Sequence, residues 1–289
     1  TFQNGAYYWS AGSGAHAVSG PVAQRWAKQG WELGRLGYPT TDTVCGLPGG
    51  GCSQEFQGGS ILSSTAGGTR AVWGAIRARY VAVGGSAGAL GYPTSEELCG
   101  FRDGGCFQRF QHATIYWSPA SGARVVANGA VATRWGAQGW ELGRLGYPTT
   151  DTVCGLPGGG CSQEFQGGSI LSSTAGGTRA VWGAIRARYV AVGGSAGALG
   201  YPTSEELCGF RDGGCFQRFQ HATIYWSPGS KAWPVAAPVL AAWGTGGWEN
   251  GRLGYPVGAA TCTVEGACTQ RFQGGTASWT STTAVRIVY

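Results

Sequence analysis

Charge is scarce in this sequence: Asp, Glu, Lys and Arg together make up 12% of its 289 residues. Long solvated helices are therefore not expected, and a chain with 13 Trp and 12 Tyr is too aromatic to read as disordered. Lysine is almost missing. Only Lys28 and Lys231 are lysines among the 20 basic residues, so the formal charge of +6 rests on guanidinium groups, which hydrogen-bond as rigid forks. The arginines are spread along the chain and form no basic run, so no nucleic-acid partner is expected; anionic polymers of a cell envelope suit the same charge better. No apolar stretch approaches the ~18 residues of a membrane-spanning helix. Histidine is limited to three residues, none beside a cysteine pair at ligand spacing, so neither a metal nor a cofactor is expected. No Gly-x-Ser-x-Gly elbow lies between a strand and a helix, which removes one familiar route to an activated serine.

What the chain has instead is glycine, 55 residues of it, and a period. Leu-Gly-Tyr-Pro begins at Leu36, Leu90, Leu145, Leu199 and Leu253, at intervals of 54 or 55 residues. Such strict spacing marks a repeat array in which each unit packs on the same surfaces of its neighbours. No Pro/Ser-rich linker interrupts it. Residues 1–289 therefore read as a single repeat module, with units of approximately 19–72, 73–126, 127–181, 182–235 and 236–289. A second periodicity lies over the first, because Gln29–Pro119 recurs unchanged as Gln138–Pro228. The units alternate in type. Ahead of the tetrapeptide, units one, three and five carry Trp31, Glu32 and Arg35; Trp140, Glu141 and Arg144; and Trp248, Glu249 and Arg252. Units two and four have Gly85, Ser86 and Ala89, and Gly194, Ser195 and Ala198, in their place.

Ten cysteines fall in five local pairs: Cys45 and Cys52, Cys99 and Cys106, Cys154 and Cys161, Cys208 and Cys215, Cys262 and Cys268. One pair per unit around glycine-rich loop sequence reads as one local disulfide per unit, each worth roughly 2–3 kcal/mol on loop-entropy grounds. Disulfides imply an oxidising compartment and hence export. Thr1 opens directly into a strand-like Phe2–Trp9, so an export leader is expected to have been removed.

Within a unit, short helices are expected over Pro21–Gln29, Ala75–Val83, Ala130–Gln138, Ala184–Val192 and Pro238–Thr245. Gly30, Gly84, Gly139, Gly193 and Gly247 follow them as left-handed caps. Trp26, Tyr80, Trp135, Tyr189 and Trp243 fall inside these helices, one ring per unit, and read as core anchors. The cysteine pair comes next as a stapled loop. Phe-Gln, at Phe2, Phe56, Phe110, Phe165, Phe219 and Phe272, then opens a hairpin of alternating residues. Six hairpins against five helices leave one spare, so the N-terminal hairpin, residues 1–18, is placed to close on residues 270–289 and hide both exposed edges.

The tetrapeptides, the following Pro39–Asp42 and Pro93–Glu96, the Phe-Gln pairs, Tyr116–Ser118 and Gly14–Val18 together carry a family resemblance. Over essentially its whole length the sequence resembles the LGFP-repeat family of actinobacterial envelope proteins, with Tyr in place of Phe in the tetrapeptide. The resemblance implies a non-catalytic, lectin-like module that is secreted and holds proteins on cell-wall polysaccharide, either arabinogalactan or a peptidoglycan-linked glycan. It also implies a compact arrangement with pseudo-fivefold symmetry. The expected fold is a β-rich repeat protein with short helices, as a propeller-like ring rather than an open solenoid.

A sugar ring offers a C–H patch to an aromatic face and a rim of hydroxyls to polar groups. The trio Trp31, Glu32 and Arg35, with its copies in units three and five, supplies ring, acceptor and donor. Tyr38, Tyr92, Tyr147, Tyr201 and Tyr255 are candidate ligand platforms, or else rings that lock adjacent units together. Tethered weak sites on a repeating polymer gain about 10²–10⁴ in affinity, so a repeat array matches a repeating ligand. A scaffold that binds other proteins or its own copies is a second reading. A glycan hydrolase drawing on Glu96 and Glu97, Glu205 and Glu206, or Glu32 with Asp42 is a third. Active sites are normally singular, whereas these candidates are duplicated with their whole surroundings, so no catalytic residue is expected.

Overall fold

Glycines set the strand ends of each unit, and in the computed structural model of the chain the segments between them pair as antiparallel meanders. The structure describes residues 5–281 and 283–289. The first sheet comprises Val44–Leu47, Gly51–Phe56, Gly59–Ser64 and Gly68–Trp73 in sequence order. The second is built from Leu98–Cys99, Cys106–Arg109, Ala113–Ser118 and Gly122–Ala127. Val153–Leu156, Gly160–Phe165, Gly168–Ser173 and Gly177–Trp182 form the third. Leu207–Phe210, Gly214–Arg218, Ala222–Ser227 and Lys231–Ala236 form the fourth. The fifth runs through Thr261–Cys262, Cys268–Phe272, Gly275–Trp279 and Arg286–Val288. A two-stranded hairpin, Gly5–Ser10 with Gly14–Ser19, precedes them.

The expected helices are present: α1 (Gly20–Ala27), α2 (Gly74–Ala82), α3 (Ala130–Ala137), α4 (Gly183–Ala191) and α5 (Ala237–Thr245). Gly30, Gly84, Gly139, Gly193 and Gly247 follow at φ of 86° to 98°, a conformation that glycine adopts without strain. The mid-helix rings anchor the core. Trp26, Tyr80, Trp135 and Tyr189 also reach the tetrapeptide glycine, donating to the carbonyls of Gly37, Gly91, Gly146 and Gly200 at 3.0 to 3.2 Å.

Two expectations are corrected. All five cysteine pairs are bridged as expected, but the stapled segment is a β-hairpin and not a loop, with Cys45 directly opposite Cys52 on neighbouring strands. Phe-Gln closes a strand instead of opening one: Phe56 ends the second strand, and the third begins at Gly59. The reason lies in the tetrapeptide. Phe56 is buried, and the Gln57 carboxamide accepts the Tyr38 backbone N–H at 3.0 Å; Gln111, Gln220 and Gln273 do the same for Tyr92, Tyr201 and Tyr255. A turn position serves that contact better than a strand position would. Phe2, the sixth Phe-Gln, lies outside the described residues.

The chain divides into two compact bodies, Thr1–Ala132 with Tyr147–Asp151, and Thr133–Gly146 with Thr152–Tyr289. Within each body, successive units are joined by buried polar pins. Gln54 donates to the Ala17 carbonyl of the hairpin and Gln108 to Ala71 of the first sheet; Gln217 donates to Ala180 and Gln270 to Pro234. The tetrapeptide tyrosines supply a second pin. Tyr92 donates to the Pro48 carbonyl, Tyr147 to Arg102, Tyr201 to Pro157 and Tyr255 to Arg211, at 2.7 to 2.8 Å. Each acceptor lies in the turn of the preceding unit's disulfide hairpin. Tyr201→Phe is expected to lower the free energy of unfolding by about 1 kcal/mol in a urea titration, since one hydrogen bond is lost and the ring stays. An unchanged urea midpoint would show that the pin contributes nothing.

Candidate functional site

Trp31, Trp140 and Trp248 occupy left-handed backbone, at φ of 55°, 53° and 57°. Gly85 and Gly194 hold the same turn in units two and four, at φ of 57° and 59°. Glycine adopts this geometry freely, whereas a side chain there costs about 1–2 kcal/mol. The three tryptophans are also 38% to 42% exposed. A large apolar ring that is both strained and open to water breaks two local rules at once, and such positions concentrate at functional sites.

Each ring stands edge-on against the buried helix tryptophan of its unit: Trp31 on Trp26 at 5.2 Å, Trp140 on Trp135 at 5.1 Å, Trp248 on Trp243 at 5.5 Å. In the first body Trp31 also lies nearly parallel to Tyr8 of the hairpin, with 6.0 Å between centroids. In the second, Trp248 lies in the same way beside Tyr225 of the fourth sheet, at 6.4 Å. The neighbouring carboxylate is buried in units three and five, and Glu249 accepts from Asn250 Nδ2 at 3.1 Å. Around Trp248 these groups line a cleft of about 420 Å³, walled by Phe210, Phe216, Tyr225 and Leu240 and carrying Arg218, Glu249 and Asn250. Burial, reinforced by Glu249, pushes the Tyr225 hydroxyl up to about 12, so it remains a hydrogen-bond donor at physiological pH. The cleft thus presents apolar faces, an acceptor and donors together.

The expected trio does not form one cluster. Its arginines turn to the residue that closes the sheet: Arg35 lies over Trp73 at 5.2 Å, Arg144 over Trp182 at 4.7 Å, Arg252 over Tyr289 at 4.3 Å. Nor do four of the five tetrapeptide tyrosines offer platforms. Tyr92, Tyr147, Tyr201 and Tyr255 are buried, and only Tyr38 is partly exposed. The hydroxyls of the four buried tyrosines are committed to the inter-unit pins, so their faces are closed to a ligand.

One member of each carboxylate pair likewise serves as a pin. Glu96 is ion-paired with Arg25 and Arg70, and Glu205 with Arg134 at 2.6 Å and Arg179 at 3.7 Å. Asp42 accepts the Ala17 N–H at 2.9 Å and lies beside His16. Glu97 and Glu206 sit next to Cys99–Cys106 and Cys208–Cys215, but bridged sulfurs have no thiolate to offer a metal. Burial holds both carboxyls above the ordinary value of 4.5, against the opposing pull of Arg35 and Arg144. A raised folded-state value means that the folded chain favours the protonated form. The stability this contributes is complete below pH 4.5 and is lost as pH rises through the raised value. Glu97→Gln with Glu206→Gln is therefore expected to raise the melting temperature at pH 7, by a margin that shrinks on acidification. Equal margins at pH 7 and pH 4 would contradict this.

Tyr8 and Tyr225 were not identified from the sequence, although a signal was available. Tyr-Trp-Ser occurs at Tyr8–Ser10, Tyr116–Ser118 and Tyr225–Ser227, each time in the segment before a tryptophan-bearing unit. The buried glutamines were equally visible, as Gln54, Gln108, Gln163, Gln217 and Gln270 all stand two residues before the Phe of the Phe-Gln pair in their unit.

Four-stranded repeats, each stapled by a disulfide, mark an extracellular or envelope repeat module. The chain belongs to the LGFP repeat family, whose model matches residues 1–34, 36–88, 90–143, 145–197, 199–251 and 253–289. Five of these six segments open on the leucine of a tetrapeptide. The family is in general a non-enzymatic repeat module. No curated protein matches the chain. Among solved structures, a streptogramin B lyase aligns at 9% identity and a TM-score of 0.15, over 98% of this chain and 75% of that one. The extracellular domain of a one component system from B. thetaiotaomicron aligns at 8% identity and a TM-score of 0.16, over 85% of this chain and 35% of that one. Similarity at this level carries no argument about fold or chemistry. Among the described residues no helix is long and apolar enough to cross a membrane.

Proposed function

We propose that this protein is a non-catalytic, multivalent module that binds cell-wall polysaccharide, either arabinogalactan or a peptidoglycan-linked glycan, and thereby anchors to the bacterial envelope. The observation that carries this reading is the strained, exposed tryptophan recurring at Trp31, Trp140 and Trp248, each followed by a glutamate. An indole stacks on the C–H face of a sugar at low entropic cost, and the adjacent carboxylate accepts hydroxyl hydrogens. One such site is weak; three on one chain reach a polymer whose own structure repeats.

The test is sedimentation of the purified protein with insoluble cell wall, in competition with soluble arabinan, galactan or muropeptide. Retention in the pellet, relieved by one of these saccharides, is the expected result. Protein that stays in the supernatant would overturn the proposal.

A further inference from the structure

Units two and four are identical through Pro119 and Pro228, but the strand that follows exchanges Gly122, Arg124 and Val125 for Lys231, Trp233 and Pro234. One unit further on, Asp151 becomes Ala259. These changes belong together. In the first body Asp151 is ion-paired with Arg79 of α2 and accepts the Val125 N–H at 2.9 Å. Arg188 of α4 is the copy of Arg79, whereas Pro234 has no N–H and Ala259 no carboxylate, so the acid and the amide bound to it are both gone. Arg188 lies instead over the Trp233 ring at 3.9 Å and donates through Nε to the Ala232 carbonyl at 2.8 Å. Its Nη1 and Nη2 make no hydrogen bond among the described residues. The guanidinium is thus held by a stack and an anchor with two donors free.

Lys231 is the second departure. The other hairpin turns place glycine at this position, Gly14, Gly68, Gly122 and Gly177, at φ of 67° to 82°, and Lys231 takes the same left-handed backbone at 68°. One of only two lysines in the chain therefore occupies a conformation that disfavours any side chain, and such strain collects at functional sites. Arg188 and Lys231 meet across a cleft of about 300 Å³, walled by Ala184, Ala187 and Ala191 of α4 and by Trp226. No carboxylate lines it, and among the described residues neither cation is ion-paired. Two arginines facing one acid in unit two have become an arginine and a lysine facing none.

We propose that this cleft is a subsite for an anionic sugar residue, a uronate or a phosphorylated sugar. Its charged oxygens accept from the free nitrogens of Arg188 and from Lys231 Nζ, while Trp226 gives apolar area to the C–H face of the ring. Low-dielectric walls of alanine and indole concentrate the field of the two cations on a ligand that small. The anionic group follows from the cleft alone; the sugar ring rests on the carbohydrate reading above.

The experiment is titration calorimetry of the intact protein at low salt with trigalacturonate, glucose 6-phosphate, galactotriose and inorganic phosphate. At least one anionic sugar is expected to bind about tenfold or more tightly than galactotriose, with an affinity that falls as salt is added, and the better of the two identifies the source of the charge. Lys231→Gly, which restores the residue of the other turns, is expected to weaken that sugar about tenfold, leave galactotriose unchanged and keep the melting temperature at or above the native one. Ala259→Asp, which returns an acid to the position that pairs with Arg79 in the first body, is expected to weaken it to a similar degree. A native chain that does not favour the anionic sugars, inorganic phosphate that binds as well as they do, or two variants that bind like the native chain overturns the subsite. Protein that binds the anionic sugar yet stays in the supernatant with insoluble cell wall loses the anchoring function and keeps this site.

Discussion

Replacing Trp31, Trp140 and Trp248 together by glycine is expected to reduce retention on insoluble cell wall by about 10²–10⁴, whereas any single replacement lowers it about tenfold or less. Glycine is the informative choice because Gly85 and Gly194 already occupy the same turn at φ of 57° and 59°. Each substitution relieves about 1–2 kcal/mol of left-handed strain. Each also removes an edge-on contact with a helix tryptophan, worth about 0.5–1.5 kcal/mol beyond its buried area. Strain relief offsets the edge-on contact but not the apolar area that each half-buried indole covers, so the melting temperature is expected to fall by several degrees while the cooperative fold persists and binding collapses. Circular dichroism with wall sedimentation measures both on one sample. A triple variant that is retained like the native chain would remove these rings from the binding surface and leave their strain without a functional reason.

How far such a site can be read from sequence depends on whether its parts lie close together in the chain. Period, helices, left-handed caps and disulfides were all legible, because each is written in residues a few positions apart. The strained backbone at Trp31 was accessible too, through its alignment with Gly85, which marks a turn that favours positive φ. The second half of the site was harder. Tyr8 and Tyr225 come from the preceding segment and meet Trp31 and Trp248 only after a helix has turned the chain back. The trio Trp31, Glu32 and Arg35 failed as a cluster for the converse reason. A short 3-10 turn over Trp31–Leu33 separates residues that are neighbours in sequence, sending the indole towards Tyr8 and the guanidinium towards Trp73. The tetrapeptide tyrosines show a third limit. Tyr92 donates to the carbonyl of Pro48 in the preceding unit, and nothing local distinguishes such a ring from a ligand platform.

Reduction and alkylation of the five disulfides is expected to lower the melting temperature by tens of degrees or abolish the cooperative transition. Each bridge spans a sequence separation of six or seven residues and stabilises by about 2 kcal/mol on the loop-entropy model. Five of them sum to the order of 10 kcal/mol, comparable with the whole net stability of a typical domain. The effect should also spread beyond the hairpins. The outermost strand is only two residues long in the second and fifth sheets, Leu98–Cys99 and Thr261–Cys262, too short to hold its place by backbone pairing alone. Its turn, in turn, carries the acceptor for the next unit's tyrosine, as Arg102 does for Tyr147 and Pro157 for Tyr201. Loosening the hairpin therefore withdraws a pin between repeats, and the loss is cooperative rather than local. Scanning calorimetry of oxidised and alkylated protein decides the matter. A shift of only a few degrees would mean that the buried glutamines and the helix tryptophans hold the units together without the bridges.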